Sequence, residues 1–153
     1  MKPNLNAGPC LATLLAALAL TSTGCCSQRI CIKAVDATTA EPLAGVVTEW
    51  RQDRHQMFLH IAHYGPVKLP PSGQNGVIEV KGVRRTWESH FIFSCPGYSN
   101  VYGSYSSGGS FYLSKQISYF PLGPLEGEFR LEGKPETAAE SNGCFLVTLS
   151  KTK

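Results

Sequence analysis

Apolar and polar positions alternate with a period of two along most of the chain after residue 29. In "ICIKAVD", Ile30 and Ile32 alternate with Cys31 and Lys33, which predicts a strand over Ile30–Asp36 with one buried face. From Val46 to about Asp53, Val46, Thr48 and Trp50 alternate with Val47, Glu49 and Arg51, a second strand. "GVIEVKGV" predicts a short strand over Val77–Val80, opened by the Asn75-Gly76 turn signal. "SHFIFSCPGYS" predicts another from His90 to Ser94 or Cys95, halted by Pro96-Gly97. Met57 to Ala62 reads as a strand bounded by loops at Pro66, Pro70, Pro71, Gly73 and Gly76. "VYGSYSSGGSFYLS" is either a hairpin with a loose tip or a long loop. "ISYF" and "EFRLEG" follow as strands, "KPETAAESNG" as a polar loop and "CFLVTLS" as the closing strand. No helical periodicity and no internal repeat appears. The fold class expected from seven or eight short strands with turn signals between them is an all-β, antiparallel Greek-key β-sandwich.

Composition agrees with that pattern. The 153 residues include 15 glycines and 10 prolines, and 10% are aromatic. This length suits one domain with a short appendage. The net charge of +3 is spread along the chain, and Arg84-Arg85 is its only dense patch. That pair reads as a solvated basic turn, so no nucleic-acid partner is expected.

The appendage is residues 1–24. Lys2 supplies a positive start, and "CLATLLAALAL", Cys10 to Leu20, is an unbroken run of small and apolar residues. It is shorter than the roughly 20 residues a bilayer-spanning helix needs and suits the core of a secretory signal. "TSTGCC" then resembles a bacterial lipobox, in which Cys25 would be the lipid-attachment site. The resemblance is incomplete, because Ser22 stands where a leucine is preferred. Ordinary signal cleavage with plain secretion, or a periplasmic location, is the alternative. The expected organisation is a signal at 1–24, a short tether at 25–29 and one domain at 30–153. The lipid would hold the protein to a cell membrane or outer membrane.

Six cysteines are present. Setting aside Cys10 in the signal and Cys25 leaves Cys26, Cys31, Cys95 and Cys144, an even number for an oxidising compartment. Four cysteines allow three pairings, which sequence does not separate. Strand phase puts Cys31 and Cys144 on the non-apolar faces of the first and last strands, where they suit each other as outward partners. Cys95 shares the face of Phe91 and Phe93, which suits a buried thiol.

Chemistry-bearing patterns are sparse. His55, His60 and His63 form the densest histidine group. A spacing of three sends His60 and His63 to opposite faces of a strand, and no acidic residue lies within Gln56 to Lys68. No metal and no cofactor is therefore expected. His90, beside Glu88, reads as an ordinary edge residue. No Gly-x-Ser-x-Gly elbow supports a hydrolase. Trp50 and Trp87 read as core or sheet-surface residues. Tyr98, Tyr102 and Tyr105, set among glycine and serine, suit contact with a sugar or a protein partner. The preferred reading is a flexible hairpin tip whose tyrosines pack back on the sheet.

Three stretches together resemble carboxypeptidase regulatory-like domains. "VDATTAEPLAGVVTEW" resembles their opening, with an Asp, a small-residue turn, Pro-Leu and Gly-Val. "NGVIEVKGV" resembles their middle signature, and "HFIFSCPGYSN" the strand after it. The resemblance runs from Ile30 to Tyr98 and fades from Asn100. It departs from the usual Thr-Gly-Glu-Pro by placing Ala40 before Glu41-Pro42. It implies a transthyretin-like seven-stranded sandwich, classed with carbohydrate-binding-like folds, without peptidase activity. The expected function is a non-catalytic cell-envelope lipoprotein domain with a binding or structural role. Its partners would be the membrane, through its lipid, and a protein or glycan of the envelope. A small carbohydrate-binding module using the Tyr98–Tyr112 loop is the alternative.

Overall fold

Alternation between small polar and bulky apolar side chains leaves this chain only sheets to build, because each strand must bury one face. The computed structural model describes residues 27–54, 62–106, 108–121, 127–132 and 134–152. Residues 1–24, Cys25, Cys26, His55 and His60 lie outside the described residues. Three long elements begin the fold: β1 (Ser27–Asp36), β2 (Val47–Arg54) and β3 (Ala62–Leu69). Then come β4 (Val77–Arg84), β5 (Glu88–Ser94), β6 (Val101–Tyr105) and β7 (Phe111–Ser114). The last five are β8 (Gln116–Pro121), β9 (Gly127–Glu132), β10 (Glu136–Thr137), β11 (Glu140–Ser141) and β12 (Cys144–Leu149). They make a four-stranded sheet in the order β11-β12-β1-β4 and a six-stranded sheet in the order β10-β7-β6-β5-β2-β3, and β8 and β9 pair as a separate hairpin. The described residues are all-β, with two main sheets. Among the described residues no helix is long and apolar enough to cross a membrane.

Several elements differ from the sequence reading. The described residues hold twelve strand elements rather than seven or eight, partly because the expected polar loop contributes the two-residue β10 and β11 to sheet margins. β1 and β12 run parallel, with Ile32 opposite Phe145 and Val35 opposite Thr148, so the pairing is not antiparallel throughout. The first and last strands meet side by side pointing the same way, a long-range arrangement that no local pattern encodes. Of the expected strand Met57–Ala62, residues 57–61 lie outside the described residues; β3 (Ala62–Leu69) runs through Pro66, where a loop was expected. It is an edge strand, where a proline's missing N–H removes no obligatory ladder bond. "VYGSYSSGGSFYLS" forms the hairpin β6–β7, with Tyr102 opposite Ser114 and Tyr105 opposite Phe111.

The two sheets share one core. Ile30, Ile32 and Ala34 of β1, Ile78 and Val80 of β4, and Val147 and Leu149 of β12 face Trp50, Phe91, Phe93, Val101 and Phe111 of the larger sheet. Phe111 bridges the layers: its ring lies 5.3 Å from that of Phe91 and 5.2 Å from that of Phe145 on β12. Gly103 makes room for it, since a Cβ there would sit 2.8 Å from the Phe111 ring. Burying rings of this size stabilises the fold by about 2–3 kcal/mol each. Trp50 is a core residue. Trp87 is buried in the β4–β5 turn, with the Arg84 guanidinium 4.5 Å over its ring. Arg84 and Arg85 are themselves exposed on that turn, as the sequence suggests.

The connector between β1 and β2 is a hydrogen-bonded turn. The Asp36 carboxylate accepts bonds from the Thr38 and Thr39 N–H groups at 2.7 and 3.0 Å. Thr39 Oγ1 accepts from the Glu41 N–H at 3.3 Å. The Asp36 backbone N–H donates to Glu41 O, and Leu43 N–H to Ala34 O. Ala40 is held at φ 59°, in the left-handed region that a side chain disfavours.

Candidate functional site

Because Phe91 and Phe93 of β5 point into the core, His90 and Ile92 emerge on the outer face of the larger sheet. Register extends that face in two rows. Glu49, Ile92, Tyr102 and Ser114 stand opposite one another across β2, β5, β6 and β7. Arg51, His90, Ser104 and Tyr112 form the next row. Asp53 and Glu88 pair beyond it.

One end of this face is a buried polar cluster. The Arg51 guanidinium binds the Asp53 carboxylate through Nε at 2.8 Å and Nη2 at 2.9 Å. His90 Nε2 lies 3.4 Å from Asp53 Oδ2, and Ser104 Oγ donates to Glu88 Oε1 at 2.7 Å. Asp53 is 1% exposed and His90 9%. His90 is thus not the edge residue expected: β5 is flanked by β2 and β6, so its side chain enters an interior row. A bidentate, buried arginine–carboxylate pair holds geometry well, and breaking it would strand a buried charge. Ser104 donates to Glu88 and not to His90, so these residues form no nucleophile–base relay. The sequence reading passed over Asp53. Its signal was the Arg51-x-Asp53 spacing, which puts both on one face of a strand.

The tyrosines divide into two kinds. Tyr98 packs against the core, and its hydroxyl donates to Asp36 Oδ2 at 2.8 Å. Tyr105 is buried between Phe111 and Phe145, and its hydroxyl accepts from Gln28 Nε2 at 3.0 Å. Tyr102 is half-buried on the outer face. Tyr98, Tyr102 and Tyr105 therefore do not converge on one open surface. Tyr112, the outward neighbour of Tyr102, is 37% exposed. The sequence reading included it only as the end of a loop.

Electrostatics around Asp36 follow from its partners. The Thr39 and Thr38 N–H groups, then the Tyr98 hydroxyl, hold its carboxyl below the usual value of 3.8, with Lys151 Nζ 3.9 Å away adding to the effect. The same hydrogen bond raises the Tyr98 phenol above its ordinary value. This linkage ties the first turn to the β5–β6 connection and the C-terminal segment.

Cys31 and Cys144 form a disulfide between β1 and β12, with Cα atoms 4.5 Å apart. The outward phase of both residues was legible in the sequence. Cys95 is a free, half-buried thiol, and desolvation raises its pKa. His63 belongs to β3, its backbone opposite Asp53. Among the described residues no group of three or more His, Cys, Asp or Glu side chains is placed to hold a metal ion. A cleft of about 530 Å³ opens beside β7 and β12, lined by Val101 and Leu113 and by Lys115, Lys134, Glu132 and Glu136.

No family model matches the chain, and no curated protein matches it. Among solved structures, it is similar to a streptococcal ancillary pilin with a TM-score of 0.39 and 13% identity, over 82% of this chain and 30% of that one. It is also similar to the pilus 2b backbone protein of group B streptococcus, with a TM-score of 0.40 and 12% identity, over 80% of this chain and 40% of that one. The chain spans less than half the length of either.

Proposed function

We propose that this is an exported, non-catalytic β-sandwich domain with a binding or structural role in the cell envelope, anchored by lipid on Cys25. The observation that carries this reading is the Cys31–Cys144 disulfide, which links the first strand to the last. Bonds of this kind persist in oxidising compartments and are rare where thiols are kept reduced. The apolar run Cys10–Leu20 is the device that would deliver the chain there.

The carboxypeptidase regulatory-like, Greek-key architecture belongs to the same proposal. Two features support it. The Asp36 carboxylate organises the opening turn, and Ala40 adopts the left-handed conformation at the position where that family carries glycine. The resemblance implies a domain without peptidase chemistry.

The test is cell fractionation with thiol trapping on the full chain. The wild-type protein is expected to sediment with membranes, with Cys31 and Cys144 protected from alkylation until reduced. Cys25→Ala is expected to move the protein to the soluble exported fraction. Unchanged membrane association of Cys25→Ala would refute the anchor. Freely alkylated Cys31 and Cys144 in intact cells would refute export.

A further inference from the structure

We propose that the outer face of the six-stranded sheet binds a neutral glycan, with Tyr102 and Tyr112 as its stacking platform. This deepens the binding reading above and rests on it.

The two residues are diagonal neighbours on one face, since Tyr102 stands opposite Ser114 and Tyr112 opposite Ser104. Diagonal neighbours in an antiparallel pair lie roughly 7–8 Å apart, within reach of one short oligosaccharide. Their environment separates them from the other hairpin tyrosines. Tyr98 and Tyr105 have hydroxyls bonded within the protein, to Asp36 and Gln28. No hydrogen bond to the Tyr102 or Tyr112 hydroxyl is found among the described residues, and register puts both on the outer face, Tyr112 exposed and Tyr102 half-buried where Ser114 Oγ donates to Glu132 O of β9. An aromatic face offers a sugar's C–H surface an apolar contact, while the phenol hydroxyl remains available to a sugar hydroxyl. Thr137 stands opposite Tyr112 and is exposed, adding a second hydroxyl at the margin.

Charge selects the kind of ligand. Along the Tyr102 row the flanking ions neutralise each other: Lys68 Nζ is 3.5 Å from Glu49 Oε1. In the Tyr112 row Arg51 is bound to Asp53 by two hydrogen bonds. Glu88, which accepts from Ser104, adds one further carboxylate to this face, so the face disfavours an anionic ligand and suits an uncharged polyhydroxylated one. Its exposed apolar side chains among the described residues include Val47 at 36% and Tyr112 at 37%, with Ile92 half-buried.

The experiment uses the full chain, purified in detergent with its disulfide formed. It is applied to an array of neutral and acidic glycans, then titrated with cellohexaose, maltohexaose and chitohexaose. At least one neutral oligosaccharide is expected to bind. Tyr102→Ala with Tyr112→Ala should weaken that binding at least tenfold, and Tyr112→Ala alone several-fold. Tyr112→Phe, which keeps the ring, should stay within about threefold of wild type. The thermal midpoint of each variant shows that folding is retained. Tyr112→Ala, at a partly exposed position, keeps the test valid if the double variant is unstable. Failure to bind any neutral glycan, binding confined to acidic glycans, or undiminished binding by Tyr112→Ala would overturn the proposal. So would a protein ligand on this face that none of the three oligosaccharides displaces. The purified protein needs no membrane, so a negative result here leaves the anchoring reading standing, and a soluble Cys25→Ala protein leaves this one standing.

Discussion

Removing the Cys31–Cys144 bond is the perturbation whose size follows most directly from the fold. The two cysteines are 113 residues apart and close nearly the whole described chain into one loop. In the chain-entropy account, a cross-link of that span restricts the unfolded ensemble by about 5 kcal/mol at 25 °C. For a domain of about 120 residues, that corresponds to a fall in Tm of about 15–20 °C. The expected variant is Cys31→Ser with Cys144→Ser, which leaves no lone thiol from the pair. The native contacts it disturbs are few, because both side chains lie on the non-core face. β1 and β12 keep their parallel ladder, from Ile32 opposite Phe145 to Asp36 opposite Leu149. Circular dichroism melts and urea titrations of the oxidised protein and the double variant measure the effect. The urea m-value should also rise, because an unlinked denatured chain exposes more surface. A Tm shift below about 5 °C with an unchanged m-value would refute loop closure as the bond's contribution.

Three further outcomes are expected. Ala40→Gly should stabilise the protein by about 0.5–1 kcal/mol in urea denaturation, because Ala40 sits at φ 59° where glycine meets no Cβ penalty; a loss of stability would contradict that reading. Thr48→Val should raise stability by about 1 kcal/mol, because Thr48 Oγ1 is buried without a hydrogen-bond partner among the described residues; a Tm below wild type would show the hydroxyl to be satisfied. Asp36 has a folded-state pKa below 3.8, so its stabilising contribution is full above the unfolded value and is lost as pH falls through the lower folded value. Acid titration followed by tryptophan fluorescence should therefore show wild type losing stability below about pH 4 more steeply than Asp36→Asn, and parallel curves would contradict the assignment.

Strand faces were largely legible in advance. Ile30 with Ile32, Phe91 with Phe93, and Val147 with Leu149 have the alternation that buries one side of a strand, and these side chains do form the core. The turn in the Ala37–Gly45 connector was equally legible, because the bonds from Thr38 and Thr39 to Asp36 link residues only a few positions apart, whereas the bonds from Ala37 to Leu149 and Gly45 to Ser72 were not. The outward phase of Cys31 and Cys144 was readable too. That phase pointed to their pairing, which the disulfide bears out, without fixing it, since three connectivities were open and the choice depends on which strands become neighbours.

The candidate site was less legible. The tyrosine-rich stretch was read as tyrosines packed back on the sheet, with one contact surface as the other reading; it separates into buried Tyr105, core-packed Tyr98 and outward Tyr102 and Tyr112. That division depends on the hairpin register, which sends alternate residues to opposite faces. His90 looked peripheral until β2 and β6 closed over both sides of β5.

Local sequence was enough to specify that the chain makes strands, where most turns fall and which side of each strand is apolar. These follow from interactions among residues close together in the chain. The parallel meeting of β1 and β12, the burial of Asp53 and His90, and the choice of which tyrosines face out came from the packed fold. Each of these requires strands distant in sequence to become neighbours, and local alternation carries no information about which neighbour a strand will find.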